Sequence, residues 1–254
     1  MCHPEVPAGT PVPDVATREL WVELESGERM PAMLALPDRT PAPAVIVLTD
    51  MYGRSPFYDV ITRRLAQAGF VALQPDYYFR EGPLAAPTFD NAMARRTALQ
   101  GSGTLRDLLV TLRWLASVPE ATGRLGTIGF CGGGTFVLQL AAERKDLASV
   151  CYYGFPRGHG DPPKEPPAPV EITHKMTGPI LGFWGDQDQP CGIQNVQALR
   201  SGLQAAAVKH EFHIYPGLGH GFLKQFLEDD EAEGYVEACA SWTRTLDFYR
   251  KRLA

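Results

Sequence analysis

The chain has 254 residues, of which 44% are hydrophobic and 21% charged, and its formal net charge is −5. This length is enough for one large α/β domain with a substantial core. The slight acidity gives no reason to expect nucleic acid or an anionic membrane as a partner, and no apolar stretch approaches the ~20 residues that span a bilayer.

The cysteines and the first residues indicate the compartment. Five cysteines lie at positions 2, 131, 151, 191 and 239, without C-x-x-C spacing. An odd, scattered set predicts neither a disulfide framework nor a zinc site, and Cys2 and His3 alone are too few ligands to predict a metal. The Pro-rich residues 1–17 predict an irregular lead-in that lacks the features of a secretory signal. We therefore expect a cytoplasmic protein.

Residues 18–254 predict a single domain in which strands and helices alternate. Segments 18–25 and 29–37 alternate in polarity, which is typical of an antiparallel pair at a sheet edge. Short apolar runs predict buried strands at 44–48, 70–73, 125–130, 150–154, 179–184 and 212–215. Helical spacing or composition predicts helices at 57–68, 90–99, 105–118, 132–144, 193–207 and 231–252. This order predicts an α/β fold with a doubly wound, mostly parallel sheet and helices on both faces.

The proline-rich segment 155–178 separates two of these strands and predicts a long loop or a small cap. His159 lies within it. A histidine in such a loop is interpreted as a solvated residue.

The stretch from Leu125 to Leu138, LGTIGFCGGGTFVL, carries the strongest chemical signal. Cys131 follows an apolar strand and precedes a helix, with Gly129 and Gly133 two positions away on each side. This G-x-C-x-G pattern is a cysteine version of the nucleophile elbow, whose sharp turn projects one side chain above the sheet. A plain strand–helix turn or a phosphate cradle is the alternative, but no G-x-G-x-x-G or Lys-Ser/Thr ending is present. The pattern therefore predicts that Cys131 is a nucleophile.

Two polar residues follow earlier strands. Asp50 comes directly after strand 44–48, at the sheet edge where open α/β sheets place their sites, or else is a solvated turn residue. Arg80 follows strand 70–73 in an aromatic loop, where it is either a surface arginine or an anion anchor in the cleft. Residue type alone leaves both alternatives open.

A catalytic cysteine needs a base within hydrogen-bond reach and a group that orients that base. His220 follows the last predicted strand in GLGHGF, and Asp186 and Asp188 follow the strand before it. The chain order of nucleophile, acid and histidine is that of α/β-hydrolases. Spacing alone does not choose between the two aspartates.

With these residues in view, the sequence resembles the dienelactone hydrolase family over about residues 20–250. The matching segments are VLTDMYG, PDYYFR, GFCGGG, GDQD and YPGLGHGF. The resemblance implies an α/β-hydrolase fold, a Cys131–His220–Asp188 triad, a small lactone or ester substrate and no cofactor. It also implies an oxyanion hole formed by the backbone N–H groups of Met51 and Gly132.

Two positions depart from the family pattern. Asp50 stands where founding members have a glutamate that holds the resting thiol neutral, so the resemblance implies a gating role for this shorter side chain. Lys224 stands where they have a second arginine. Arg80 and Lys224 are therefore expected to bind a substrate carboxylate, although a lysine lacks bidentate geometry.

Three other functions are alternatives to this interpretation. A broad-specificity carboxylesterase or thioesterase would use the same triad. A glutamine amidotransferase needs a downstream His-x-Glu, and the chain has that pattern only at residues 3–5. A binding module that has lost its chemistry is disfavoured because Cys131, His220 and Asp188 are all present.

Overall fold

A computed structural model describes residues 3, 5–228 and 230–254, and within them the chain forms a single eight-stranded sheet. Its strands are β1 (Ala16–Glu23), β2 (Arg29–Leu36), β3 (Ala42–Leu48), β4 (Val71–Pro75), β5 (Ala121–Phe130), β6 (Leu147–Tyr152), β7 (Ile180–Gly185) and β8 (His210–Tyr215). The spatial order is β1-β2-β4-β3-β5-β6-β7-β8. The β1–β2 and β2–β4 pairs are antiparallel, and all other pairs are parallel.

The same residues contain α1 (Pro56–Gln67), α2 (Phe89–Ala98), α3 (Gly101–Ser117), α4 (Gly132–Glu143), α5 (Ile193–Ala205) and α6 (Tyr235–Arg252). Short 3-10 helices occur at 79–81, 169–171, 173–175 and 222–227. On β5, a Cβ at Gly126 would lie 2.7 Å from the Tyr249 ring of α6, and one at Gly129 would overlap the Gly133 carbonyl of α4. Residues three apart on a strand point to opposite faces, so helices cover both sides of the sheet, as predicted.

The central strands bring the predicted site residues to one edge. β3, β6 and the second half of β5 (residues 125–130) are mostly apolar and buried, which is typical of strands covered on both faces. In the parallel ladders Leu48 pairs with Gly129, Phe130 with Tyr152, and Gly185 with Tyr215. The strand ends are therefore level, and the loops that follow them meet above one edge of the sheet.

The N-terminal segment has no strand or helix among its described residues before Ala16, but one of its side chains is in the core. His3 is buried, and its ring stacks on Phe57 with centroids 4.1 Å apart. Its carbonyl accepts a hydrogen bond of 2.6 Å from Ser55 Oγ. An irregular segment can be held this way because its buried backbone groups find side-chain partners.

None of the helices in the described parts of the chain combines the length and apolar character that crossing a membrane requires.

The turn between β5 and α4 leaves no room for a side chain at Gly133. A Cβ at Gly133 would overlap the carbonyl oxygens of Leu48 and Thr49, which belong to the neighbouring strand end. Backbone atoms cannot move aside as the end of a flexible side chain can. Glycine at this position is therefore what allows α4 to approach β3.

We expect Gly133→Ala to lower the free energy of unfolding by about 2–3 kcal/mol, because the added methyl group overpacks rigid backbone. Urea denaturation of the purified variant measures this. The matched control is Gly103→Ala in α3, where the nearest atoms to an added Cβ are 3.8 Å away. The control should be neutral or stabilising by about 0.5–1 kcal/mol, through better helix propensity. Equal stability of the two variants would show that the elbow is not tightly packed.

Candidate active site

Cys131 occupies the turn between β5 and α4. Its backbone is in an unusual conformation for a residue other than glycine, with φ 56° and ψ −120°. The Cys131 N–H donates to Tyr152 O at 3.1 Å, and the Cys131 carbonyl accepts from Thr135 N at 3.1 Å. Such backbone strain persists only where the surrounding structure fixes it, and it is found mainly at functional sites. The arrangement is that of a nucleophile elbow.

His220 and Asp188 form the second part of the site. His220 follows β8, and its Nδ1 is 2.9 Å from Oδ2 of Asp188, a buried residue that follows β7. The other carboxylate oxygen of Asp188 accepts from the Cys191 N–H at 3.0 Å. A carboxylate on Nδ1 favours the tautomer in which Nε2 carries the lone pair and can act as a base.

The two aspartates of the acid loop have different environments. Asp188 contacts His220, whereas Asp186 accepts a hydrogen bond of 2.8 Å from the N–H of Gly217 in the turn after β8. The spacing left this choice open, and the geometry brings Asp188 rather than Asp186 to the histidine.

Cys131 and His220 line one cavity of about 360 Å³ above the sheet edge. Most of its wall is apolar and is formed by Met51, Phe89, Met93, Phe155 and Pro190. This size and composition suit a small organic molecule with a few polar groups.

The two expected oxyanion donors belong to this cavity as well. Gly132 is the first residue of α4, so its N–H lies in the first turn, where helix N–H groups have no intrahelical partner. Met51 lies in a turn in which Asp50 Oδ1 accepts from the Tyr52 N–H at 2.8 Å and the Asp50 carbonyl accepts from the Gly53 N–H at 3.0 Å. These two bonds fix the backbone around Met51.

Asp50 is buried and its carboxylate is heavily hydrogen-bonded. Besides the Tyr52 N–H, it accepts from Tyr58 OH at 2.8 Å and from the His3 N–H at 2.6 Å. Burial raises the pKa of Asp50, and these hydrogen bonds oppose that rise. The carboxylate thus holds the turn at Met51 and the N-terminal segment together, and the gating role implied by the family resemblance stays a prediction.

The two cations expected to bind substrate lie elsewhere. Arg80 is in the 79–81 helix, with its guanidinium 2.6 Å from both Glu28 and Asp107. Lys224 is exposed on the 222–227 helix, and neither residue is in the cavity wall. The sequence motif does not reveal these two partners, because Glu28 in the β1–β2 turn and Asp107 on α3 are far from Arg80 in the chain.

The structure adds cavity residues that the sequence did not reveal. Arg96 on α2 lines the cavity, and so does His159, which the loop pattern predicts to be a solvated residue. His159 is exposed on one side, yet its Nε2 is 3.5 Å from the point that a Cβ on Gly132 would take. No local pattern marks either residue, because both reach the site through long-range packing of α2 and the 155–178 loop.

Cys191 is a second thiol near the histidine. Its Sγ is 3.8 Å from His220 Nδ1, the nitrogen that already contacts Asp188, and 3.2 Å from the carbonyl of Tyr153. Burial, together with the negative charge of Asp188, raises the pKa of Cys191. Cys191 is therefore a neutral hydrogen-bond donor, which favours Cys131 as the nucleophile.

The side chains of Asp188, Cys191 and His220 place potential metal-ligand atoms within 4.8 Å of one another. A thiol must lose its proton to bind a metal, and the raised pKa of Cys191 opposes that loss. The Asp188–His220 hydrogen bond also uses the nitrogen that a metal would need. The donor set fits an orienting role for Asp188 better than a metal centre.

A thiol on a strand–helix elbow, facing the same cavity as a carboxylate-oriented histidine above a doubly wound sheet, defines an α/β-hydrolase. Comparison with known proteins narrows this class. The sequence model of the dienelactone hydrolase family matches residues 30–253. The chain belongs to the dienelactone hydrolase family.

Individual relatives agree with this assignment. A carboxymethylenebutenolidase from Rhodococcus opacus is 30% identical over 224 residues, which cover 88% of this chain and 87% of the relative. A candidate dienelactone hydrolase structure from Klebsiella pneumoniae superposes with a TM-score of 0.83 and 28% identity, over 93% of this chain and 98% of that chain. The dienelactone hydrolase structure from Anabaena variabilis, at 19% identity and a TM-score of 0.64, covers 94% of this chain and 99% of its own and shares the fold. The predicted family and fold are confirmed.

The buried His3 provides a pH-dependent test of how the N-terminal segment is held. Its Nε2 is 2.6 Å from Tyr153 OH, and burial lowers the pKa of His3 well below 6.5, with Lys224 and His220 as further positive charges nearby. As the pH falls below 6.5 the unfolded chain therefore takes up a proton at His3 that the folded chain does not bind, and the difference approaches one proton about one pH unit lower. Stability is present above this pH and is lost as the pH falls.

In wild type the free energy of unfolding should fall with decreasing pH by up to about 1.4 kcal/mol per pH unit more steeply than in His3→Gln, over the range below pH 6.5. Urea denaturation at several pH values measures both slopes. Asp50 is present in both proteins, so its own titration cancels in the difference. His174→Gln, at an exposed position, is the control and should leave the slope unchanged. Parallel curves for wild type and His3→Gln would mean that His3 is not buried in solution.

Proposed function

We propose that this chain hydrolyses small lactones or carboxylic esters through a thioester on Cys131, with His220 as the base and Asp188 as its orienting group. The observation that carries the proposal is the 2.9 Å contact between His220 and Asp188, above a cavity that Cys131 shares. Membership of the dienelactone hydrolase family and the name of the Rhodococcus relative support a lactone substrate.

In the first step Cys131 attacks the substrate carbonyl carbon. His220 Nε2 takes the thiol proton, the new S–C bond forms, and the carbonyl π electrons move to oxygen. Asp188 stabilises the imidazolium that results, as the carboxylate of such triads does. The proton on His220 is then available for the leaving oxygen.

The negative oxygen of the tetrahedral intermediate is bound by the N–H groups of Gly132 and Met51. Removing one oxyanion-hole donor costs about 3 kcal/mol of transition-state stabilisation in related chemistry. The N-terminus of α4 adds a favourable dipole at the same position. These donors are part of the backbone and are fixed before substrate arrives.

Collapse of this intermediate breaks the ester C–O bond, and the leaving oxygen takes the proton from His220. A thioester remains on Cys131. Water then attacks it while His220 accepts a proton from the water, and the second collapse returns the sulfur as thiolate and releases the acid. A lactone gives one ring-opened product, and an ester gives an alcohol and an acid.

The substrate is a small molecule on this proposal. The apolar walls contact its body, and the polar groups of the triad and the oxyanion hole contact only the reacting carbonyl. The cytoplasmic location expected from the sequence stays a prediction.

We expect Cys131→Ala to lower kcat for a lactone or an aryl ester at least about a thousandfold, because the variant has no thiol at the elbow to form the acyl intermediate. Steady-state kinetics measures the loss, and thermal unfolding should show a folded protein. Cys239→Ala, a partly exposed cysteine outside the cavity, is the matched control and should keep near wild-type rates. A folded Cys131→Ala variant with substantial activity would exclude the thioester route.

A further inference from the structure

His3 is fixed in the core by its own backbone. The His3 N–H donates to Asp50 Oδ2 at 2.6 Å, and the His3 carbonyl accepts from Ser55 Oγ at 2.6 Å. Its ring stacks on Phe57, and the residue is 1% exposed. These contacts hold the His3 side chain at one position, although the described residues before Ala16 form no helix or strand.

The His3 side chain contacts a tyrosine that lies beside the proposed base. His3 Nε2 is 2.6 Å from Tyr153 OH. The Tyr153 ring packs edge-to-face against the His220 ring, with centroids 5.1 Å apart and planes at 63°. Neither His3 nor Tyr153 is among the described residues that line the cavity. Any effect of His3 on the reaction must therefore pass through Tyr153 and His220.

Tyr153 is held in a strained conformation directly after β6. Its φ is 39°, which is unusual for a residue other than glycine. The Tyr153 N–H donates to Phe183 O at 2.8 Å, and the Tyr153 carbonyl accepts from Cys191 Sγ at 3.2 Å. Strain of this kind is found mainly at functional sites. The backbone of Tyr153 is thus fixed by β7 and Cys191, and the hydroxyl end of its ring is held by His3.

A histidine is a costly residue for this buried position. His3 Nδ1 is buried and has no hydrogen-bond partner among the residues that the structure describes. Burial lowers the pKa of His3 well below its usual range, so the ring is neutral at pH 7. Phe57, Tyr58 and Phe130 surround the imidazole, and apolar rings at positions 3 and 153 would pack there without an unpaired polar atom. Packing alone therefore does not explain the histidine, whereas the hydrogen bond to Tyr153 does.

We infer that His3 is a positioning residue for the hydrolysis: its Nε2 holds the Tyr153 ring against His220 and so keeps the imidazole aligned with Cys131. The inference rests on the proposed function and adds a residue from outside the cavity to it. The hydrogen bond from Nδ1 to Asp188 alone does not fix the plane of the His220 ring, and the edge-to-face contact restricts its rotation. A displacement of about 1 Å at a reacting group can lower the rate about a hundredfold.

The test uses two substitutions that separate hydrogen bonding from packing. His3→Phe keeps a ring on Phe57 and removes the bond to Tyr153, whereas His3→Gln keeps an amide near the Nε2 position and loses the stacking. For 4-nitrophenyl acetate we expect kcat to fall about tenfold in His3→Phe, with KM within about twofold of wild type. In His3→Gln kcat should stay within about threefold of wild type. Steady-state kinetics measures both constants, and urea denaturation measures the stability of each variant.

A double variant separates positioning from stability. Tyr153→Phe removes the other partner of the same bond, and His3→Phe/Tyr153→Phe removes both partners, so the double variant should regain stability lost in His3→Phe. The effects on kcat should not add, because each change breaks one shared bond; all three variants should be about tenfold below wild type. The matched control is Tyr249→Phe, which removes a buried hydroxyl bonded to the Thr127 carbonyl at 2.7 Å outside the cavity and should keep the wild-type kcat.

Three results would overturn the inference. They are a wild-type kcat in His3→Phe, a kcat in His3→Gln as low as in His3→Phe, and recovery of kcat together with stability in the double variant. Each would mean that His3 only stabilises the fold or has no role in the reaction. Failure of the proposed function is distinguishable, because wild type itself would then not hydrolyse the ester.

Discussion

The site depends on a single strained residue. At Cys131 the chain must leave β5 and enter α4 within one residue, and it does so with φ at 56°. Two features hold this conformation: the hydrogen bond from Cys131 N–H to Tyr152 O, and the close approach of backbone that glycine permits at Gly129 and Gly133. Since the same turn starts α4, the Cys131 side chain and the Gly132 N–H are positioned by one constraint.

The other groups reach Cys131 because parallel strands end together. β3, β7 and β8 deliver Asp50, Asp188 and His220 from segments far apart in sequence, and their loops lie above the same sheet edge. Each carboxylate then has a separate task. Asp188 orients the histidine, whereas Asp50 accepts from backbone N–H groups and Tyr58 OH, and so fixes the turn at Met51. The two carboxylates therefore position other groups around the cavity: Asp188 positions the His220 ring, and Asp50 positions the backbone at Met51.

Most of the fold could be predicted from the sequence because its strands are short apolar runs and its helices have a clear apolar face. The elbow and the histidine loop were also visible, since glycines at fixed offsets from Cys131 and His220 are local signals. The choice of Asp188 over Asp186 needed the family resemblance, because both follow the same strand.

The remaining site residues depend on long-range contacts. Arg96 has the same local surroundings as any arginine on an amphipathic helix, and only the contact with Glu165, 69 residues later, buries it in the cavity wall. Arg80, which the sequence offers as a possible anion anchor in the cleft, instead lies outside the cavity wall, because Glu28 and Asp107 bind it at the surface. His3 was assigned to an irregular tail, and its burial depends on Asp50, Ser55 and Tyr153. Sequence patterns give the type of element, but they do not show which distant side chain meets another.

The central claim is that an acyl group is transferred to the sulfur of Cys131. The most direct measurement is rapid acid quenching of the protein with 4-nitrophenyl acetate during the first turnover, followed by peptide mapping by mass spectrometry. The account predicts one acetyl group on the peptide that contains Cys131, present during turnover and absent after the ester is consumed. Release of 4-nitrophenolate at the full rate while Cys131 stays unmodified, or acetylation of a different residue, would contradict it.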